Sequence, residues 1–231
     1  MEKGRAVLAS LLLFAFICWG EDVHPITHRR IAQVMGAAGA DWLVRPEREA
    51  EEHPDQALDD LKISKGAAVA DIGAGVGYVT WRLAERVGPS GIVYGEDIQQ
   101  AMLDLLRKNM EARHLANVRP VLGIIDNPKL PANSVDLILM VDVYHEFSEP
   151  EKMLDRMHEA LRQNGRLVFL EYRAEDPNVP IRPEHKMTVK DVRAEVEPEG
   201  YRFEQSIENL PEQHLIIFRK CGIGASACPS P

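Results

Sequence analysis

The chain has 231 residues and a mass of 25.9 kDa, the size of one α/β domain with small additions rather than of two full domains. Apolar residues make up 45% and charged residues 27%, which excludes a disordered chain or a fibrous repeat and allows a sizeable core. With 27 Lys and Arg against 36 Asp and Glu the net charge is −9, so nucleic-acid backbone is not an expected partner, and 3 cysteines without a CxxC or Cys/His cluster indicate neither a disulfide-framed fold nor structural zinc.

Residues 1–20 combine a basic start (Lys3, Arg5), an apolar run from Ala6 to Trp19 broken only by Ser10, small residues, and then Glu21 and Asp22. This order is that of a secretory signal peptide or a short membrane anchor, and the run is short for a spanning helix. The expectation is an exported or membrane-anchored protein with residues 6–19 at the membrane; a cytoplasmic protein with a buried N-terminal helix is the alternative. Residues 21–56 read as a helical cap, with a helix over Thr27 to Met35 and a charged stretch from Arg45 to Asp60. In that stretch Glu47 to Glu52 read as a solvated helix face. Trp42 reads as a staple packing the cap onto the core, with a pocket wall as the alternative.

From residue 57 to 220 strands and helices alternate. Ala67 to Ile72 is an apolar strand, and Tyr78 to Val87 a helix with Val79, Leu83 and Val87 on one face. A strand over Ile92 to Asp97 and a helix over Gln99 to Arg113 follow. Val118 to Leu122 is the third strand, and Val135 to Val141, apolar nearly throughout, the fourth. Ser148 and Glu151 form a capping box for a helix reaching Gln163, stopped by Gly165. Then come a strand over Arg166 to Tyr172, a helix over Thr188 to Glu197, and strands over Tyr201 to Glu208 and His214 to Lys220. The short link Asn209 to Gln213 cannot make a parallel crossover, so the last pair should be antiparallel. The pattern gives a doubly wound, mainly parallel α/β sheet. Residues 221–231 form an irregular tail in which Cys221 and Cys228 could pair in an oxidising compartment or stand as thiols on a frayed end.

The junction after the first strand reads Asp71-Ile72-Gly73-Ala74-Gly75-Val76-Gly77-Tyr78. Its glycines allow a sharp turn and close approach of a ligand to the backbone at the start of a helix. Asp97 ends the second strand, where an open α/β sheet puts the acid that accepts from ribose hydroxyls. Asp126 follows the third strand and can accept from an amino group such as that of adenine. Together these acids share the rim at the C-terminal ends of the strands.

The segments VADIGAGVGYVT, VYGEDIQQAML, GIIDNPKLPANSVDLILMVDVYHEF and LRQNGRLVFLEY, in this order, resemble the successive motifs of class I S-adenosylmethionine-dependent methyltransferases of the ubiquinone-biosynthesis (type 11) style. The resemblance implies a seven-stranded Rossmann-like sheet with a reversed last strand. It implies S-adenosyl-L-methionine as cofactor, with Asp71, Gly73, Gly75 and Gly77 along its methionine part and Asp97 on the ribose hydroxyls. Ile98 would lie against the adenine, Asp126 would bind the adenine amino group with Asn127 beside it, and Val141 and Asp142 would face the sulfonium. A nicotinamide-dependent oxidoreductase is the main competitor, but GxGxG replaces the GxGxxG that meets a pyrophosphate.

For the transfer itself the candidates are Asp142 and His145, the latter as a base if the acceptor must lose a proton or as a ligand of its own loop. Tyr144, Glu171, Arg173 and His185 are expected to line the acceptor pocket. Asp142, Glu171, His145 and His185 could together hold a divalent metal, as in catechol-type O-methyltransferases. Glu171-Tyr172-Arg173 stands in place of that family's Asp-Asn pair, however, and no metal is expected. The acceptor is a small or medium-sized molecule whose reacting element, like the oligomeric state, is not written in the sequence. The signal-like segment also motivates a catalytically inactive binding protein of this fold as a second reading.

Overall fold

A computed structural model describes residues 23–221 of the chain. The signal-like segment 1–20 and Cys228 lie outside them, and with Cys228 the question of its pairing with Cys221. Among the described residues no helix is long and apolar enough to cross a membrane.

The strands are β1 (Ala68–Ile72), β2 (Ile92–Asp97), β3 (Val118–Leu122), β4 (Val135–Val141), β5 (Leu161–Arg173), β6 (Lys186–Met187), β7 (Tyr201–Ile207) and β8 (Gln213–Lys220). They form one sheet in the order β3-β2-β1-β4-β5-β8-β7, with the short β6 beside β5. All pairings from β3 to β5 are parallel, and β8 is antiparallel to both neighbours. The seven-stranded frame with a reversed last strand is therefore present, extended by β6.

The helices are α1 (Arg48–Glu52), α2 (Pro54–Asp60), α3 (Thr80–Val87), α4 (Gln100–Ala112), α5 (Pro150–Ala160) and α6 (Val189–Val196). Alternation along the strands sorts the core into two layers. On one face Ala70, Ile138, Met140, Phe169 and Ile216 meet Met153, Leu154 and Met157 of α5 and Val192 and Val196 of α6. On the other Val69, Leu137, Leu139, Val168 and Ile217 meet Leu58 of α2 and Leu83 and Val87 of α3. β1 sits between β2 and β4, so the chain leaves it toward opposite sides of the sheet, and the crevice at this switch point is where such sheets take ligands.

Three local expectations are corrected. No helix forms over Thr27 to Met35; Val23 pairs with Arg30 across a tight turn, and a 3-10 helix follows over Ala37–Val44. Tertiary contacts outweigh helix propensity there: Thr27 and Arg29 both donate to the buried carboxylate of Glu195. The helix expected from Ser148 starts at Pro150 with Glu149 as its N-cap, and Ser148 gives no side-chain cap. It ends at Ala160 because Leu161 already pairs with Val135, which puts Gly165 inside β5 instead of at a helix end.

Candidate active site

The fully buried β1 delivers the chain to the glycine loop. Gly73 has φ +67, and a Cβ there would lie 2.4 Å from Val143 Cγ2, so no other residue fits. Gly77 serves packing: its Cβ would meet Met110 Cε of α4 at 2.9 Å. Asp71 lies beneath the loop, outside the cavity wall, where it accepts the Thr80 hydroxyl at 2.6 Å. Burial pushes its carboxyl up to about 7, against the opposing pull of the Thr80 bond.

At the end of β2, Asp97 accepts from the Gly75 amide at 3.0 Å and from the Gln99 amide at 2.8 Å. Burial raises its pKa while these amides hold it back. Glu96 lies 3.4 Å from the Gly73 amide. It is 1% exposed, and burial reinforced by Asp97 pushes it up to about 8. Sequence reasoning missed Glu96; an acid inside a buried strand beside Gly95 is the signal that could have found it.

A cavity of about 490 Å³ opens at the C-terminal ends of β1, β2 and β4, within the size range of small-ligand sites. Gly73, Gly75, Asp97, Ile98, Val141, Asp142, His145 and His185 meet around it. The other expected site residues do not line it. Ile124 and Ile125 form the wall next to Asp126 and Asn127, and Asn127 is spent on the turn, accepting from the Lys129 amide at 2.7 Å. Tyr144 is not a pocket residue: it is fully buried, edge-on to Phe147 and Phe169. Arg173 faces away, paired with Glu208 at 2.9 Å and donating to the carbonyls of Leu210 and Pro211, where it fastens the β7–β8 connection.

Asp142, just past β4, has φ +51, a strained position for a non-glycine residue and one typical of functional turns. Gln213 donates to its Oδ2 at 2.7 Å, while among the described residues its buried Oδ1 has no hydrogen-bond partner. Burial, then Glu52 and Glu171, hold its pKa well above the usual carboxylate range.

Glu171 does not line the cavity. Its carboxylate is fully buried, accepts from the Tyr144 amide at 3.0 Å and lies 2.7 Å from His145 Nδ1. Burial would lower the pKa of His145, but the neighbouring carboxylates, Glu171 foremost with Asp142 and Glu146, more than offset it, and the net shift is upward. His145 Nε2 in turn lies 3.0 Å from His185 Nδ1.

The stretch read as a solvated helix face is corrected as well. Arg48 and Glu52 are buried, 2.6 Å apart, and both line the cavity. Arg48 also donates to the Leu43 carbonyl at 2.8 Å and lies over the Tyr78 ring, and Tyr172 donates to Glu52 at 3.0 Å. A buried i,i+4 ion pair has the same sequence signature as a solvated one. Trp42, expected as a staple, is 55% exposed on the cavity rim with Arg45 stacked on its ring at 4.0 Å.

Residues 63–214 match the profile of a family described as "Methyltransferase domain". A demethylmenaquinone methyltransferase of Geobacillus sp. is 32% identical over 111 residues, 48% of this chain and 47% of that protein. An arsenite methyltransferase of Halobacterium salinarum is 26% identical over 166 residues, 68% of this chain and 42% of that protein. The chain thus spans about half the length of the curated relatives it matches or less. A solved SAM-dependent methyltransferase from Aquifex aeolicus superposes with a TM-score of 0.77 at 24% identity, covering 81% of this chain and 100% of that one; this likeness is one of fold.

Proposed function

The chain belongs to the class I S-adenosylmethionine-dependent methyltransferases, and from that premise we propose that it moves the sulfonium methyl group of S-adenosylmethionine to a nucleophilic atom of a small or medium-sized acceptor. The bound cofactor supplies a methyl group that is already activated. The protein's task is then to align the acceptor in line with it and exclude water. The observation that carries the reading is the Gly75–Asp97 hydrogen bond at the mouth of the cavity, which fixes an acceptor-only carboxylate against a glycine loop at the switch point of the sheet.

In this reading Asp97 accepts from the ribose hydroxyls, and the backbone of Gly73 and Gly75 follows the methionine part. Asp71 and Gly77 support the loop from below. Arg48, beside Arg45 and Arg182 on the cavity wall, is a cation within reach of the methionine carboxylate. Ile98, Ile124 and Ile125 enclose the adenine, with Asp126 and Asn127 shaping the turn behind that wall. Val141 and Asp142 flank the sulfonium. His145, its Nδ1 tied to Glu171, offers Nε2 on the acceptor side, where His185 also stands.

The names of two relatives refer to demethylmenaquinone and arsenite, which supports a small acceptor. The rim residues Val34 and Trp42, exposed at 46% and 55%, favour one with an apolar part. Residues 1–20 support an export signal or short anchor, which localisation of the tagged full-length chain tests.

The deciding experiment is calorimetric titration of the full chain with S-adenosylmethionine and S-adenosylhomocysteine, followed by transfer of labelled methyl to an acceptor panel. Saturable binding and transfer are expected. A folded chain that binds neither ligand would overturn the reading, and binding without transfer to any acceptor would favour the inactive binding protein.

A further inference from the structure

We propose that His145, His185 and Glu146 hold a divalent first-row transition-metal ion at the acceptor end of the cavity. The donor atoms of these three residues lie within 4.8 Å of one another, and all three residues line the cavity. They come from two short 3-10 turns, Tyr144–Glu146 after β4 and Pro183–His185 before β6.

The hydrogen-bond pattern prepares the site. Glu171 lies 2.7 Å from His145 Nδ1; a neutral imidazole with its proton on that nitrogen presents the Nε2 lone pair toward His185. A carboxylate behind the imidazole is the usual support of a metal-bound histidine. His145 Nε2 and His185 Nδ1 are 3.0 Å apart, with their rings nearly perpendicular at 85°. Two nitrogens on one tetrahedral ion at about 2.05 Å are about 3.3 Å apart, so an ion needs a shift of only a few tenths of an ångström. Glu146 supplies an oxygen. Two imidazoles and one carboxylate with a remaining position open to a cavity form a donor set suited to zinc, cobalt or iron(II) rather than to magnesium or calcium.

This departs from the sequence expectation of no metal, and from the residue set weighed there. Asp142 is not among the donors that lie within 4.8 Å of one another, and Glu171 is spent on His145 and the Tyr144 amide. Glu146, not singled out by its sequence context, completes the set. The site stands next to the cofactor region but shares no donor with it, so ion binding and cofactor binding can fail independently.

The test is titration of the chelator-treated full chain with Co²⁺, read by its visible absorption, with Zn²⁺ competition and metal analysis for stoichiometry. One ion per chain is expected. His185→Ala should weaken Co²⁺ binding at least 100-fold, and Glu171→Gln about 10- to 100-fold, while S-adenosylmethionine affinity in His185→Ala stays within about threefold of the parent. Absence of saturable Co²⁺ binding, or equal affinity in parent and His185→Ala, would overturn the proposal. Should His185→Ala lose its fold, Glu146→Gln decides: unchanged Co²⁺ affinity and spectrum there would also overturn it.

Discussion

The backbone amide of Gly75 donates to the Asp97 carboxylate at 3.0 Å, tying the glycine loop after β1 to the acid that ends β2. Replacing Asp97 by Ala removes both the proposed ribose acceptor and this brace. Calorimetry should show S-adenosylmethionine affinity falling by about 100-fold, the scale of a lost charge-assisted contact of about 3 kcal/mol. Asp97→Asn, which keeps one acceptor oxygen, should lose less.

Gly73→Ala places a methyl group 2.4 Å from Val143 Cγ2 at φ +67. Strain and overpacking together should cost about 2–4 kcal/mol in urea unfolding. Adding Val143→Ala relieves the clash but not the backbone strain, so the double variant should recover only part of the loss.

Glu96 makes stability fall with rising pH. Its carboxyl is pushed up to about 8 from an ordinary 4.5. Below pH 4.5 it is neutral in folded and unfolded chains alike. Between there and pH 8 the unfolded chain ionises while the folded one keeps its proton, and stability is lost as pH rises. Glu96→Gln should flatten that part of the curve by an amount on the order of 4 kcal/mol, measured as unfolding free energy at pH 5 and pH 8.5.

Glu195 is the buried anchor of the N-terminal segment, meeting Arg29 at 2.9 Å and His24 at 3.3 Å and accepting from Thr27. Glu195→Ala leaves Arg29 without its carboxylate partner and should cost about 3 kcal/mol. The amide of Ala32, which donates to the His145 carbonyl at 3.0 Å, should then exchange with solvent faster than amides of β4.

The sheet was legible because its signal is local. Val135 to Val141 could only be a strand buried on both faces, and the short link before β8 dictated an antiparallel pair. The glycine loop and Asp97 were legible for the same reason, since their spacing along the chain is their geometry. The acceptor end was not. His145 depends on Glu171, 26 residues on, and on His185, 40 residues on; no periodicity encodes such pairs. Tyr144 and Arg173 were misread because a residue at a strand end can turn toward the crevice, the core or the surface, and only its partners decide. The same ambiguity hid Arg48 and Glu52, whose burial depends on Tyr172 and Tyr78 arriving from elsewhere in the chain.

The Arg29–Glu195 contact spans 166 residues of sequence. During synthesis the strip that becomes one wall of the cavity leaves the ribosome early, yet its seat does not exist until Glu195 has been added. At 5–20 residues per second that is a wait on the order of ten seconds or more. Any ligand that needs the wall formed by Val34 and Met35 must therefore await a chain grown at least to Glu195, and shorter nascent chains present no finished site.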